Sequence, residues 1–366
     1  MDIKQILTDA VKRGASDVHL SVDRPITFRV HGRLVSIGDR SLTPKDLEEF
    51  TKAIASEQHQ SQIERVGGCD FGFNLEPGVR FRASCFKQRS FYGIVLRLLP
   101  RQFFTFEQIG LPAKIVELLS RPRGLILVTG PTGSGKTTTL ATMINYINEN
   151  YDAHVVTVED PIEYYHDHKK SIVTQREVGV DVPSFSEALI KSLRQDPDVI
   201  LIGEMRDLAT MEAAITAAET GHLVFATLHT TGAARTVDRI IDVFPSHQQA
   251  QIRVQLASTV LAVISQTLIP KTDGTGRIAA FEIMVSTPAI ANLVREGKTH
   301  QITSELQTGA KYGSRTLDSH LVDLYAKGLI SYEDALSKSY DPAQFMQQAN
   351  QAGSPGKGRG MFAKKS

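Results

Sequence analysis

The chain has 366 residues, enough for two or three domains, and its 41% apolar and 22% charged content is that of an ordinary globular protein with a sizeable core. Forty-one basic residues face forty acidic ones, a net charge of +1, so bulk charge argues against nucleic acid as a partner. Cys69 and Cys85 form neither a C-x-x-C redox pair nor a zinc framework, no run approaches the roughly 18 apolar residues of a membrane span, and MDIKQILTDAVKRG lacks the apolar stretch of a signal peptide, so a cytoplasmic location is expected.

Residues 2–13 place Ile3, Ile6, Leu7 and Val11 on one face of a helix that Gly14 stops. Short strands follow at Asp17–Leu20, Ile26–Val30 and Arg33–Ile37, the last two joined by a turn at His31-Gly32. Thr43 and Pro44 suit the N-cap and first position of a helix carrying Leu47, Phe50 and Ile54. Asp70–Leu75, Val79–Phe86 and Tyr92–Leu99 are further strands, so residues 1–98 read as a small α+β domain with an antiparallel sheet. Alternation in Val79–Phe86 turns Val79, Phe81, Ala83 and Cys85 to the core. Arg80 and Arg82 then lie on the other face, either solvated or in reach of a phosphate bound to the next domain. Residues 99–112 read as a linker packed by Phe103, Phe104 and Phe106.

From about residue 113 strands and helices alternate, the pattern of a parallel sheet with crossover helices. The apolar strand Leu125–Val128 runs into Gly130-Pro131-Thr132-Gly133-Ser134-Gly135-Lys136-Thr137, which fits G-x-x-x-x-G-K-[ST]. Thr138 then continues into a helix with Leu140, Met143, Ile144 and Ile147 on one side. The glycines let backbone approach phosphate, the helix start presents N–H groups to an anion, Lys136 is expected to reach the β- and γ-phosphates, and Thr137 to ligate Mg²⁺.

A β-branched strand at 153–158 ends in Glu159-Asp160-Pro161-Ile162-Glu163. Ser184 and Glu187 form a capping box for a helix with Leu189, Ile190 and Leu193. Val199–Ile202 is a buried strand leading to Gly203-Glu204, and after a helix at 208–220 the strand 222–229 has a histidine at each end. Helices are expected near 233–243 and 247–266, then a hairpin around Lys271–Gly276 closing this domain near 287. Residues 288–345 read as helical, with Thr316 and Ser331 as N-caps and Gly328 as a stop. Residues 346–366 read as a disordered basic tail, either solvated or touching an anionic membrane.

Open parallel sheets bind ligands at the carboxyl ends of their strands, where the glycine-rich loop, residues 159–163, Glu204 and His229 all fall. Val199–Glu204 matches a Walker B strand, with Glu204 near Mg²⁺, longer than the usual Asp and so acting through a water. Glu163 is the preferred general base and Glu159 the runner-up; Asp160 equally suits a cap before Pro161. His222 and His229, seven apart, are expected on opposite faces and too far apart for one metal. Each is either a satisfied histidine or a γ-phosphate sensor.

GPTGSGKTTT, TVEDPIEYYH, LIGEMRD and TGHLVFATLHT together, with ASDVHL and VTQREVG, resemble the secretion ATPase superfamily and, within it, the retraction ATPases of type IV pili. The likeness spans nearly the whole chain. It implies an α/β fold, a RecA-like P-loop NTPase domain at 113–287 preceded by a PAS-like domain at 1–98 and followed by a helical region. It implies ATP and Mg²⁺ as ligands, a homo-hexamer, and retraction work on an inner-membrane platform protein from the cytoplasmic side, peripheral to the membrane, with an accessory retraction ATPase as a further partner. It makes Lys136 and Thr137 the Walker A pair, Glu163 the catalytic glutamate, Glu204 the Walker B acid, and His222 and His229 the histidine box. It makes Arg82 and Arg97 the arginines of the first domain that reach the phosphates. One departure stands out: the family's AIRNLI is AIANLV here, with Ala291 in the arginine's place, which admits an accessory rather than a main retraction ATPase. Assembly or type II secretion ATPases and a non-catalytic nucleotide-gated regulator are the alternatives.

Overall fold

The computed structural model describes residues 2–30, 32–76, 78–99 and 102–352. The chain divides into two units, Met1–Gln102 with Asp160–Tyr165, and Phe103–Glu159 with His166–Ser366.

In the first unit, helix α1 (Ile3–Lys12), capped by Asp2, buries Ile3, Ile6, Leu7 and Ala10. Strands β1 (Ala15–Leu20), β2 (Pro25–Val30), β3 (Arg33–Ser41), β4 (Gly68–Glu76), β5 (Val79–Gln88) and β6 (Phe91–Leu98) form a six-stranded sheet in the order β3-β2-β1-β6-β5-β4. All five neighbouring pairs in it are antiparallel. His31 of the expected turn lies outside the described residues. Helix α2 (Pro44–Ile54) starts with the Thr43/Asp46 capping box and Pro44 at its first position. A helix absent from the sequence reading, α3 (Glu57–Val66), lies between the Ser56 cap and a left-handed Gly67. Val18, Phe28, Phe71, Phe81, Ala83, Cys85 and Leu96 pack with Leu7, Leu47 and Phe50 into one core. The β5 alternation therefore sends its apolar residues inward as expected.

The second unit opens with the short helices α4 (Phe106–Ile109) and α5 (Ala113–Val116). Phe106 is buried and Phe103 stacks on His166, but Phe104 is 45% exposed, so two of the three phenylalanines do the packing expected of all three. Then come β7 (Gly124–Thr129), α6 (Lys136–Asn150), β8 (His154–Glu159), β9 (Ile172–Glu177), α7 (Phe185–Ser192), β10 (Val199–Ile202), α8 (Leu208–Glu219), β11 (Leu223–Leu228), α9 (Ala233–Val243), α10 (Ser246–Thr259), β12 (Val260–Pro270) and β13 (Arg277–Val285). The sheet order is β13-β12-β7-β11-β10-β8-β9, parallel except for β12 against β13. All residues of β7 and β11 are buried, as befits strands covered on both faces.

The expected helix at 247–266 is corrected. Helix α10 stops at Thr259, and Val260–Pro270 is a strand that pairs Val263 with Leu127 and Ser265 with Thr129. Val260, Val263, Ile264 and Ile269 are β-branched and fill the sheet between β7 and β13.

Helices α11 (Pro288–Arg295), α12 (Ile302–Thr308), α13 (Leu317–Ala326), α14 (Tyr332–Lys338) and α15 (Pro342–Ala352) follow, with Thr287, Thr316 and Ser331 as N-caps. Helix α15 covers residues 346–352, the start of the expected disordered tail, because Phe345 and Ala349 bury their side chains with Leu321 and Leu324. Residues 353–366 of that tail lie outside the described ones. Among the described residues no helix is long and apolar enough to cross a membrane.

Candidate nucleotide site

Four adjacent strands of the second unit end in a row. Thr129 of β7 pairs with Leu228 of β11, Ala226 of β11 with Ile202 of β10, and Ile202 with Val158 of β8. At about 4.8 Å per strand the row spans roughly 14 Å. Each strand end leads directly to a residue singled out in the sequence: Gly130, His229, Glu204 and Glu159.

The loop after β7 is built for an anion. Gly130 has φ +139, and a Cβ there would sit 2.2 Å from the Gln266 carbonyl oxygen. Gly133 and Gly135 also have positive φ, and Gly135 caps α6 in the left-handed conformation. The N-cap of α6 is a glycine with no side-chain cap and the first turn carries no acid, so no carboxylate of that turn competes with a phosphate for the positive end of the helix. The buried Ser134 hydroxyl has no hydrogen-bond partner among the described residues. Lys136 Nζ donates to the Gly130 carbonyl at 2.8 Å and the Pro131 carbonyl at 3.2 Å, curled over the loop that it starts from. Thr137 and Thr138 follow it in the first turn of α6. An orphan hydroxyl, uncapped amides and a lysine over a cradle that admits no Cβ are the donor set of a polyphosphate.

The Glu204 side chain is 18% exposed and has two partners: Arg206 at 2.7 Å on Oε2 and the His229 ring Nε2 at 3.1 Å on Oε1. Burial alone raises its pKa, but Arg206 and His229 together outweigh this and hold the carboxyl below its ordinary value. The other His229 nitrogen lies 3.5 Å from the Thr132 hydroxyl of the loop. His229 thus links the β10 acid to the glycine-rich loop. His222 is elsewhere. It precedes β11, its Nδ1 lies 3.0 Å from the Ala217 carbonyl, and a six-residue strand separates it from His229 by about 20 Å. The two histidines mark opposite ends of one strand, as the sequence placed them.

Glu159 accepts from Thr157 at 2.7 Å and Gln175 at 3.3 Å, so the runner-up base is tied to β8 and β9. Glu163 belongs to the first unit with the rest of Asp160–Tyr165. There its carboxylate is 3.8 Å from Arg82, which also faces Asp70 at 3.6 Å.

Arg82 and Arg97 are directly opposite each other on β5 and β6, and Arg97 is opposite Asp17 on β1. Asp17 takes the Arg97 Nε at 2.8 Å and lies 3.6 Å from Arg29. Burial raises the Asp17 pKa, yet the bonds from Arg97 and Ser16 with the charges of Arg97 and Arg29 bring it below its ordinary value. The first unit therefore gathers the two predicted arginines into one basic row on the sheet face opposite its core.

Gln266 escaped the sequence reading, and Arg80, read as solvated or in reach of a phosphate, has partners that reading did not foresee. Gln266 on β12 donates Nε2 to the Ser134 carbonyl at 2.6 Å and accepts from Thr139 at 2.9 Å, bracing both sides of the glycine-rich loop. Arg80 is 9% exposed rather than solvated. Its Nε donates to the Ile162 carbonyl at 3.0 Å and its guanidinium lies over the Tyr165 ring at 4.3 Å. It also hydrogen-bonds the Tyr165 hydroxyl and, at 3.1 Å, Asn74. A Cβ on Gly72 would collide with this guanidinium at 1.9 Å, so only glycine fits beneath it.

A family model described as "Type II/IV secretion system protein" matches residues 1–336. The chain belongs to this family. Within it, the chain is 48% identical over 345 residues to the type IV pilus retraction ATPase PilT of Pseudomonas aeruginosa, covering 94% of this chain and all of that one. It is 40% identical over 337 residues to the type IV pilus ATPase PilU of the same organism, covering 92% of this chain and 88% of that one. A crystal structure of the pilus retraction motor PilT with bound ADP superposes with a TM-score of 0.89 at 47% identity, covering 95% of this chain and 99% of that one. Membership of the family, with the loop geometry above, makes the chain a P-loop ATPase of α/β fold.

Proposed function

We propose that the chain is the ATP-hydrolysing motor of type IV pilus retraction. It works as a homo-hexamer on the cytoplasmic side of the inner membrane, peripheral to it, and pulls on a membrane platform protein. The chief support is the row of strand ends that sets the glycine-rich loop, His229 and Glu204 side by side, in a chain matched end to end by a retraction ATPase.

The loop amides from Gly130 to Thr138 and Lys136 hold the β- and γ-phosphates, Lys136 exchanging its loop carbonyls for phosphate oxygens. Thr137 and Glu204 would hold Mg²⁺, the latter through water, and the ion would neutralise charge on the phosphates. Glu163 accepts a proton from the attacking water as its oxygen bonds to the γ-phosphorus and the bond to the β,γ-bridging oxygen breaks, leaving ADP and phosphate. Arg82 and Arg97 supply cations for the charge that develops on the transferred group, a role worth about 10³–10⁵ in rate where it has been measured. His229, bonded to Glu204 and reaching Thr132, reports the state of the γ-phosphate, while His222 acts at the far end of β11.

The test has two parts. Purified chain is expected to hydrolyse ATP and the Lys136→Ala variant not to; equal rates would remove the enzyme reading. Deletion of the gene is expected to leave hyperpiliated cells that do not retract, whereas bald cells would make the chain an assembly ATPase. Ala291 favours a second reading, an accessory retraction ATPase like PilU, since the arginine usual there is missing from α11. Deletion would then weaken retraction under load without abolishing it.

A further inference from the structure

Away from the phosphate loop, one buried carboxylate carries the starts of two helices. Glu282 on β13 is 5% exposed. Its Oε1 accepts the Ala233 N–H, the first of α9, at 2.7 Å, and the backbone N–H of Leu317, the first of α13, lies close enough to favour its charged form. Helix α9 begins four residues after His229, and α13 opens the packed pair α13 and α15. The pocket around it is closed by Tyr340. Its hydroxyl faces Ser265, whose Oγ takes the Gly232 N–H at 2.9 Å. The Tyr340 and Asp341 N–H groups are in turn held by the two oxygens of Asp318 at 2.8 and 2.9 Å. Gly232 has φ +89, and a Cβ there would meet Glu282 Oε1 at 3.4 Å and the Tyr340 hydroxyl at 3.7 Å. Burial raises the Glu282 pKa, partly offset by the two backbone N–H groups.

A cavity of about 220 Å³ adjoins the cluster, lined by Pro131 of the glycine-rich loop, Thr231, Ser265, Leu317, Lys338 and Tyr340 among others. Loop, post-β11 segment and C-terminal helices therefore meet around one space and one carboxylate.

We propose that Glu282 is a positioning residue that makes the His229–Gly232 segment and the C-terminal helices α13 and α15 respond together to the nucleotide. A shift of the segment that follows His229 moves the Ala233 amide. Since a helix start tied to a buried charge cannot part from it cheaply, the carboxylate follows and takes the start of α13 with it. The inference rests on nucleotide binding at the P-loop, not on turnover.

Hydrogen–deuterium exchange of the full chain, with and without ADP, tests it. In the wild type, ADP is expected to slow exchange in both 230–236 and 316–321 by about fivefold or more, the low end of measured site-to-site couplings. Glu282→Gln keeps the shape but replaces charge-assisted bonds with neutral ones about half as strong. It is expected to retain the ADP response at 230–236 and to lose most of it at 316–321. A carboxylate with a merely structural role would lower the melting temperature and speed exchange equally with and without ADP. A wild-type response at 316–321 in Glu282→Gln, or none there in the wild type, overturns the proposal. Should Glu282→Gln not fold, Tyr340→Phe removes one hydroxyl of the same cluster; it is expected to cut the response at 316–321 about twofold, and an unchanged response overturns the proposal equally. Protection of the loop without 316–321 removes the joint alone; protection nowhere removes nucleotide binding and the joint together.

Discussion

Gln266→Leu tests whether the glycine-rich loop is held from β12. The substitution keeps volume and removes both side-chain hydrogen bonds, the 2.6 Å bond to the Ser134 carbonyl and the 2.9 Å bond from Thr139. Ser134 is 3% exposed and Thr139 is 2% exposed, so water does not replace the lost partner. An orphaned buried polar group costs about 1–3 kcal/mol. The Thr139 hydroxyl can turn to the Gly135 carbonyl one turn back, which puts its share at the low end, while the Ser134 carbonyl bears the rest. The sum is about 2–4 kcal/mol, a large part of the 5–15 kcal/mol typical of a folded domain. A melting temperature lower by about 3–5 °C follows at this chain length. The same disorder must be reversed when nucleotide binds. If about half of the cost falls on binding, the dissociation constant for ADP rises roughly 5–30-fold. Denaturant unfolding and calorimetric ADP titration measure the two quantities. A variant within about 0.5 kcal/mol of wild type with unchanged ADP affinity would refute the brace.

Arg80→Ala removes the guanidinium that ties Ile162 and Tyr165 to β5. It is expected to cost about 2–4 kcal/mol and to lower kcat about tenfold with little change in KM, because Glu163 loses its anchor and the phosphate loop does not. Steady-state kinetics check this, and Arg80→Lys is not expected to restore the rate since ammonium cannot both stack and fork. Asp17→Asn is expected to destabilise the chain at pH 7 by about 1–2 kcal/mol through its bonds to Arg97 and Ser16. The folded pKa of Asp17 lies below the ordinary range of an aspartate. Its contribution is therefore fully present above about pH 4 and lost as pH falls through the folded pKa, so the gap between wild type and variant should close on acidification. A gap constant from pH 7 to pH 2 in urea titrations would refute the pairing.

The nucleotide loop was legible because it combines a motif with its own local context, a strand before and a helix after. Caps were legible for the same reason: Thr43, Thr316 and Ser331 act within three residues of where they sit. Strand β12 was misread because Gln255–Gln266 carries apolar residues at helical as well as strand spacing. Its cluster of Val260, Val263 and Ile264 was the available signal. Helix α3 buries one apolar residue, Ile63, so periodicity had nothing to detect, although Ser56 and Gly67 bracketed it. Arg80 and Gln266 were out of reach for a different reason. Their partners lie 82 and 132 residues away in sequence, and no local pattern records such a bond. Arg97 was found only through the family resemblance, whereas strand alternation had already turned Arg82 away from the core; that they face each other across two strands is a matter of register.

The six residues Asp160–Tyr165 belong to a unit whose other members end at Gln102. The first unit is thus not one continuous length of polypeptide, and the chain passes from one unit to the other three times. A fragment cut after residue 102 would keep Arg80 on β5 with its bond to Asn74 but lose the Ile162 carbonyl and the Tyr165 ring that cover it. The remaining fragment would carry Glu163 on a free loop with Arg82 gone. Exchanging first units between relatives at the apparent linker would for the same reason pair each Arg80 with a foreign acidic segment, so the segment and the sheet that receives it form a single unit of inheritance.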